Sequence, residues 1–138
     1  MQGAPQPSPA EIRDLMPFAV ELGIELEQTT PECVRGRLEW TPKLTTTGEL
    51  MHGGAIMALA DTCGAVCAYL NLPENAQGTA TLESRTSFLR PLQSGAATAT
   101  SRPLHQGRTA IVVETEVARD DGKLAAKVTQ TQIYHYAR

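Results

Sequence analysis

The stretch from Met51 to Leu70 reads MHGGAIMALADTCGAVCAYL, and its interpretation decides the fold. It is almost wholly apolar, opens on His52-Gly53-Gly54 and holds a single carboxylate, Asp61. Its length, about 18 to 20 residues, is that of a membrane span. Gly53, Gly54, Gly64, Cys63, Cys67, Thr62 and an acid in the middle argue against that assignment, and no basic flank anchors either end. A helix that is apolar all round in a small protein is one wrapped by its own fold. The expectation is a buried central helix with one ionisable group inside it, because a carboxylate is buried only when paired or given a task.

Outward from this segment the apolar period changes from that of a helix to that of a strand. On the N-terminal side, Ile24 and Leu26, then Val34, Gly36, Leu38 and Trp40, alternate with charged residues across a Pro31-Glu32 turn. That is a hairpin with one wet face. Further upstream, Ser8-Pro9-Ala10-Glu11 has the pattern of a capping box with proline at the first helical position, Pro17 permits a second start, and Gly23 ends the helical region. On the C-terminal side, strand-like runs cover about residues 79–89, 96–104, 109–119 and 123–136, the last two joined by the turn Asp120-Asp121-Gly122. The fold class is therefore α+β, one long central helix wrapped by a curved antiparallel sheet, with a symmetric dimer expected to cover the open sheet edges. Residues 1–9 are expected to be a mobile tail and residues 10–138 a single domain.

The totals narrow the function classes. A net charge of -3 without a basic cluster, and an aromatic content of 4%, argue against a nucleic-acid partner. Three cysteines, Cys33, Cys63 and Cys67, suit reduced packing thiols better than a disulfide framework. The N-terminus has no basic region followed by an apolar run, so a cytoplasmic location and no membrane association are expected.

The motifs carry a resemblance. His52-Gly53-Gly54 followed by Leu59-Ala60-Asp61 is similar to the pattern of the hotdog-fold acyl-CoA thioesterases, in particular the phenylacetate-pathway branch. Phe88-Leu89-Arg90-Pro91 with Gly95, the turn His105-Gln106-Gly107-Arg108, and Asp121-Gly122-Lys123-Leu124-Ala125 resemble later segments of the same family, in the same order. The resemblance runs from about Gly23 to the C-terminus. It implies a hotdog fold, hydrolysis of an acyl- or aryl-CoA thioester to free acid and coenzyme A, and active sites at a dimer interface. The same fold hosts enoyl-CoA hydratases, and a non-catalytic acyl-CoA binding module is a further alternative.

The residues support this chemistry on physical grounds. A helix N-terminus offers unpaired N–H groups and a positive dipole end, and glycine there lets a thioester carbonyl approach closely. Gly54 is the expected oxyanion donor and Asp61 the general base or the nucleophile. Seven residues of helix separate them by about 10 Å, whereas both must lie about 3 Å from the reacting centre. One helix cannot serve a single thioester with both, but two antiparallel helices in a dimer can. His52 is either a helix cap or a group that polarises the carbonyl. Thr62 either holds water or bonds its own helix carbonyl. Gly53, Thr46, Phe88 and Leu89 are candidate substrate contacts, and Arg90 and Arg108 are the best candidates for the coenzyme phosphates, ahead of Arg102 and Lys127. Thr46 stands where many relatives carry Asn or Gln, and Ala65 where some carry Ser or Thr, so a less polar site is implied. The spacing of His52 and the cysteines does not suit a metal, so no metal and no cofactor beyond the coenzyme A of the substrate are expected. A homodimer, or a homotetramer of two dimers, is the expected assembly.

Overall fold

The computed structural model describes residues 3–138; Met1 and Gln2 of the expected tail lie outside the described residues. Two short helices, α1 (Pro9–Asp14) and α2 (Pro17–Leu22), lead into strands β1 (Glu25–Thr30) and β2 (Cys33–Glu39). Two 3-10 turns precede the long helix α3 (Gly53–Leu70), and four strands follow: β3 (Ala76–Phe88), β4 (Ala96–Gln106), β5 (Ala110–Ala118) and β6 (Leu124–Tyr136). The capping box is present, with the Glu11 N–H donating to Ser8 Oγ and the Ser8 N–H to the Glu11 carboxylate. Gly23 ends α2 with φ of 84°, and Gly122 turns the last hairpin with φ of 82°. β3 starts at Ala76, three residues before the expected start at about 79, because its ladder with β6 continues out to Tyr136.

All six strands form one antiparallel sheet in the order β1-β2-β4-β5-β6-β3. The concave face presents Val34, Leu38, Ala97, Ala99, Ile111, Val113, Val117, Ala126 and Val128, all buried against the inward face of α3. Small residues on both sides set a close approach: a Cβ added at Gly36 of β2 would lie 2.5 Å from Cys63 Sγ of α3. Arg13 ties α1 to the start of β1 by donating to the Ile24 carbonyl at 3.1 Å.

The two sheet edges differ. β1 has six residues and a register shift at Leu26/Gln28. β3 has thirteen residues and pairs only with β6, so its other side is a long unpaired edge.

The helix is not wrapped all round. Ala55, Ile56, Leu59, Ala60, Cys63, Val66 and Cys67 are buried, while Gly54, Met57, Asp61 and Tyr69 form an exposed stripe. The expectation of a buried Asp61 is therefore corrected. α3 packs on β2, β4 and β5 along one side and meets β3 and β6 on the flank that carries Asp61, and one chain's sheet leaves the remaining side uncovered.

Candidate active site

The loop before α3 is held by main-chain bonds that prescribe the helix start. The Met51 N–H donates to the Leu92 carbonyl at 2.8 Å, the His52 N–H to the Leu44 carbonyl at 2.7 Å, and the Thr46 N–H to the Leu50 carbonyl at 2.8 Å. His52 is the N-cap, and its Nδ1 accepts from the Gly54 N–H at 2.8 Å. The neutral imidazole then carries its proton on Nε2, where it can donate. The His52 carbonyl accepts from the Ala55 and Ile56 N–H groups at 2.9 and 3.3 Å. The Gly53 N–H is left without a protein acceptor among the described residues. This moves the available donor one residue from its expected place at Gly54, because the imidazole cap has taken the Gly54 N–H.

The unpaired N–H stands at a cleft of about 350 Å³ lined by Thr46, Leu50, Met51, Gly53, Ile56 and the segment Phe88–Leu92. Thr46, Gly53, Phe88, Leu89 and Arg90, the candidate substrate contacts, thus line one cleft. Phe88 and Leu89 are 53% and 51% exposed, far from core residues. Glycine keeps the cleft floor open, since a Cβ at Gly53 would sit 3.1 Å from the Phe88 ring and press it aside. Arg90 is oriented by donating from Nη1 to the Leu124 carbonyl at 3.0 Å.

Asp61 lies two helical turns further along the exposed stripe. Its Oδ1 accepts from Gln130 Nε2 at 2.8 Å and from the Thr81 hydroxyl at 3.4 Å. Thr81 Oγ1 in turn accepts from Gln132 Nε2 at 2.6 Å, which commits the hydroxyl proton to Asp61. Oδ2 has no protein partner among the described residues. The carboxylate is therefore held from the sheet side and open on the other.

Other expected residues lie apart from these two centres. Thr62 is buried and its hydroxyl donates to the Ala58 carbonyl at 2.7 Å, the local alternative to a water-holding role. Arg108 is exposed at the turn between β4 and β5, and its carbonyl accepts from the Tyr136 hydroxyl at 2.6 Å. That turn is at the end of the sheet opposite Arg90: the register runs from Phe88↔Ala126 to Ala110↔Ile133, roughly 23 Å along β6. Burial pushes the Cys63 thiol up to about 12 and Cys67 up to about 11, so neither is a nucleophile near neutral pH.

Gln130, Gln132 and Thr81 were missed in the sequence. The signal was present: Val128, Gln130, Gln132 and Tyr134 alternate onto the inward face of β6, and both glutamines are 1% exposed. Two amides on a core face require partners.

Comparison with known proteins gives the family. The model of the thioesterase superfamily matches residues 48–126, more than half of the chain. The chain belongs to the thioesterase superfamily. Protein PA1618 of Pseudomonas aeruginosa is 33% identical over 102 residues, which is 74% of this chain and 70% of that protein. The crystal structure of a mutant of thioesterase PA1618 superposes with a TM-score of 0.87 at 27% identity, covering 95% of this chain and 96% of that one. Thioesterase HI1161 of Haemophilus influenzae shares the fold, with a TM-score of 0.88 at 23% identity and coverage of 96% and 93%. So does the E. coli PaaI protein from the phenylacetic acid degradation operon, with a TM-score of 0.80 at 23% identity and coverage of 88% and 86%. The sheet-wrapped helix is the hotdog fold that the motifs implied. Membership places the chemistry in the class of thioester hydrolysis without naming an acyl group or a carrier.

Proposed function

We propose that this protein hydrolyses an acyl- or aryl-CoA thioester to the free acid and coenzyme A, at two sites each shared between antiparallel copies of α3. The observation that carries the reading is the separation of two half-sites on one helix. An unpaired Gly53 N–H opens on an apolar cleft, and an oriented carboxylate, Asp61, stands on the exposed stripe eight residues later, about 12 Å away. A second copy, paired through the long free edge of β3 and with its helix reversed, brings its carboxylate to the first copy's cleft.

The acyl chain occupies the cleft beside Phe88 and Leu89, with the thioester oxygen on the Gly53 N–H and within reach of His52 Nε2–H. Water attacks the carbonyl carbon as Asp61 of the other copy takes its proton. The negative charge that builds on the carbonyl oxygen is held by Gly53 at the positive end of α3. Collapse breaks the C–S bond, and the thiolate leaves with the proton returned from Asp61. No metal or redox step enters this scheme. Reversal of the second copy also carries its Arg108 toward the end of the sheet that holds Arg90, giving two guanidinium groups for coenzyme phosphates. Thr46 faces the cleft with a short hydroxyl in place of an amide, which favours less polar acyl groups. Two such dimers make the tetramer, and the enzyme works in the cytoplasm.

The test is thiol release from a panel of acyl-CoAs, short aliphatic to aryl, with wild type beside Asp61→Ala. Turnover of some members that falls at least about a hundredfold in the variant supports the reading. Equal turnover in both proteins contradicts the role of Asp61, and none from wild type contradicts the activity.

A further inference from the structure

We propose that Gln130 is a positioning residue for Asp61: it holds Oδ1 from the sheet side and leaves Oδ2 to take the proton of the attacking water. The inference rests on the reading of Asp61 as the base and extends it to a residue on another element. Three observations carry it.

The first is direct. Gln130 Nε2 donates to Asp61 Oδ1 at 2.8 Å, and Gln130 is 1% exposed, so the donor side of this bond is fixed by packing. The second is the hollow that receives it. A Cβ at Gly64 would overlap Gln130 Oε1, so α3 must have glycine in its interior for Gln130 to lie against it. Glycine there weakens the helix, and the Gln130 amide fills the space it leaves. The third is the unpaired end. Gln130 Oε1 is buried with no hydrogen-bond partner. A core chosen for stability would put an apolar side chain here, since one half of the amide is left unsatisfied. The half that is satisfied is the half that touches Asp61. Gln132 and Thr81 repeat the arrangement, with Gln132 directing the Thr81 hydroxyl at the same oxygen from 3.4 Å.

Both contacts meet at Oδ1, so rotation of the carboxylate about its terminal bond is resisted from two directions. Without them the carboxylate of an exposed helix residue samples several rotamers, and the reactive geometry becomes a minor population.

The test uses the intact assembly with four proteins: wild type, Gln130→Met, Asp61→Ala and the double variant. Methionine keeps the volume and removes the donor. The expected result is a melting temperature equal to or above that of wild type, kcat lowered about ten- to a hundredfold, and KM within about twofold. In the Asp61→Ala background Gln130→Met should cost nothing further, because the residue acts only through that carboxylate. If methionine prevents folding, Gln130→Asn keeps a polar amide one methylene too short to reach Asp61 Oδ1, and the same kcat loss is expected. Wild-type kcat in a folded Gln130→Met protein overturns the inference while leaving the base at Asp61 intact. An equal further loss in the Asp61→Ala background overturns it too, since the residue would then act elsewhere. Wild type without thioester turnover, or turnover indifferent to Asp61→Ala, removes the reading on which the inference stands.

Discussion

Asp61→Asn and Asp61→Ala should separate catalysis from support. Asparagine keeps an oxygen that can accept from Gln130 Nε2 and loses only the ability to take a proton. Its stability should stay within about 0.5 kcal/mol of wild type, as for an exposed substitution. Alanine leaves the buried Gln130 amide without an acceptor, which costs about 1–3 kcal/mol. Helix propensity returns about 0.6 kcal/mol of this, so the net loss is about 0.5–2.5 kcal/mol. At about 2.1 cal/mol/K per residue, 138 residues give about 0.3 kcal/mol per degree, hence a drop of about 2–9 °C. Both variants should lose at least about a hundredfold in turnover. The assays are thermal melts at matched protein concentration and thiol release under saturating substrate. Turnover by Asp61→Asn above about a tenth of wild type would refute the base, and equal melting temperatures for the two variants would refute the Gln130 anchor.

Three further outcomes follow from the packing and the charges. Gly36→Ala should destabilise by about 1–3 kcal/mol, because its Cβ would meet Cys63 Sγ at 2.5 Å, and Cys63→Ala should restore most of the loss; additive melts for the pair would contradict the contact. Asp121 accepts from Arg119 and from the Lys123 N–H, which lowers its carboxyl to about 2. Its contribution to stability is therefore full above the unfolded value of about 3.9 and lost as pH falls from there toward 2. The melting difference between wild type and Asp121→Asn should be constant above about pH 5, shrink as pH falls through the folded value of about 2 and vanish by about pH 1. Cys63 and Cys67 are held neutral by burial, so their contribution is full below about pH 8.5 and lost as pH rises toward their folded values of about 12 and 11. Thiol reagents at pH 8 should leave folded activity unchanged and react fully only after denaturation; rapid loss of activity would contradict this.

Local signals in the chain accounted for much of the fold. Ser8 and Glu11 cap α1 as their spacing required, Gly122 turns the last hairpin, and the period-2 runs became strands within a few residues of their expected ends. The exposure of Asp61 was not legible for a physical reason. A helix face covered by its own sheet and one left open by it are here both rich in small and apolar residues. Met57 and Ala65 beside Asp61 gave no sign of which they were. The choice between Gly53 and Gly54 depends on the rotamer of His52, which no spacing specifies. Gln130 and Gln132 share the period-2 face of Val128 and Tyr134, but the acceptors they meet, Asp61 on α3 and Thr81 on β3, become visible only once the packing of α3 and the register with β3 are known.

The central claim is that each site takes its donor from one chain and its base from the other. The most direct measurement uses heterodimers of an Asp61→Asn chain and a Gly53→Val chain, co-expressed with different tags and purified through both. Each homodimer should be inactive in thiol release. The heterodimer holds one site with both groups intact, so it should run at about half the wild-type rate. Activity no higher than that of either homodimer would contradict a shared site.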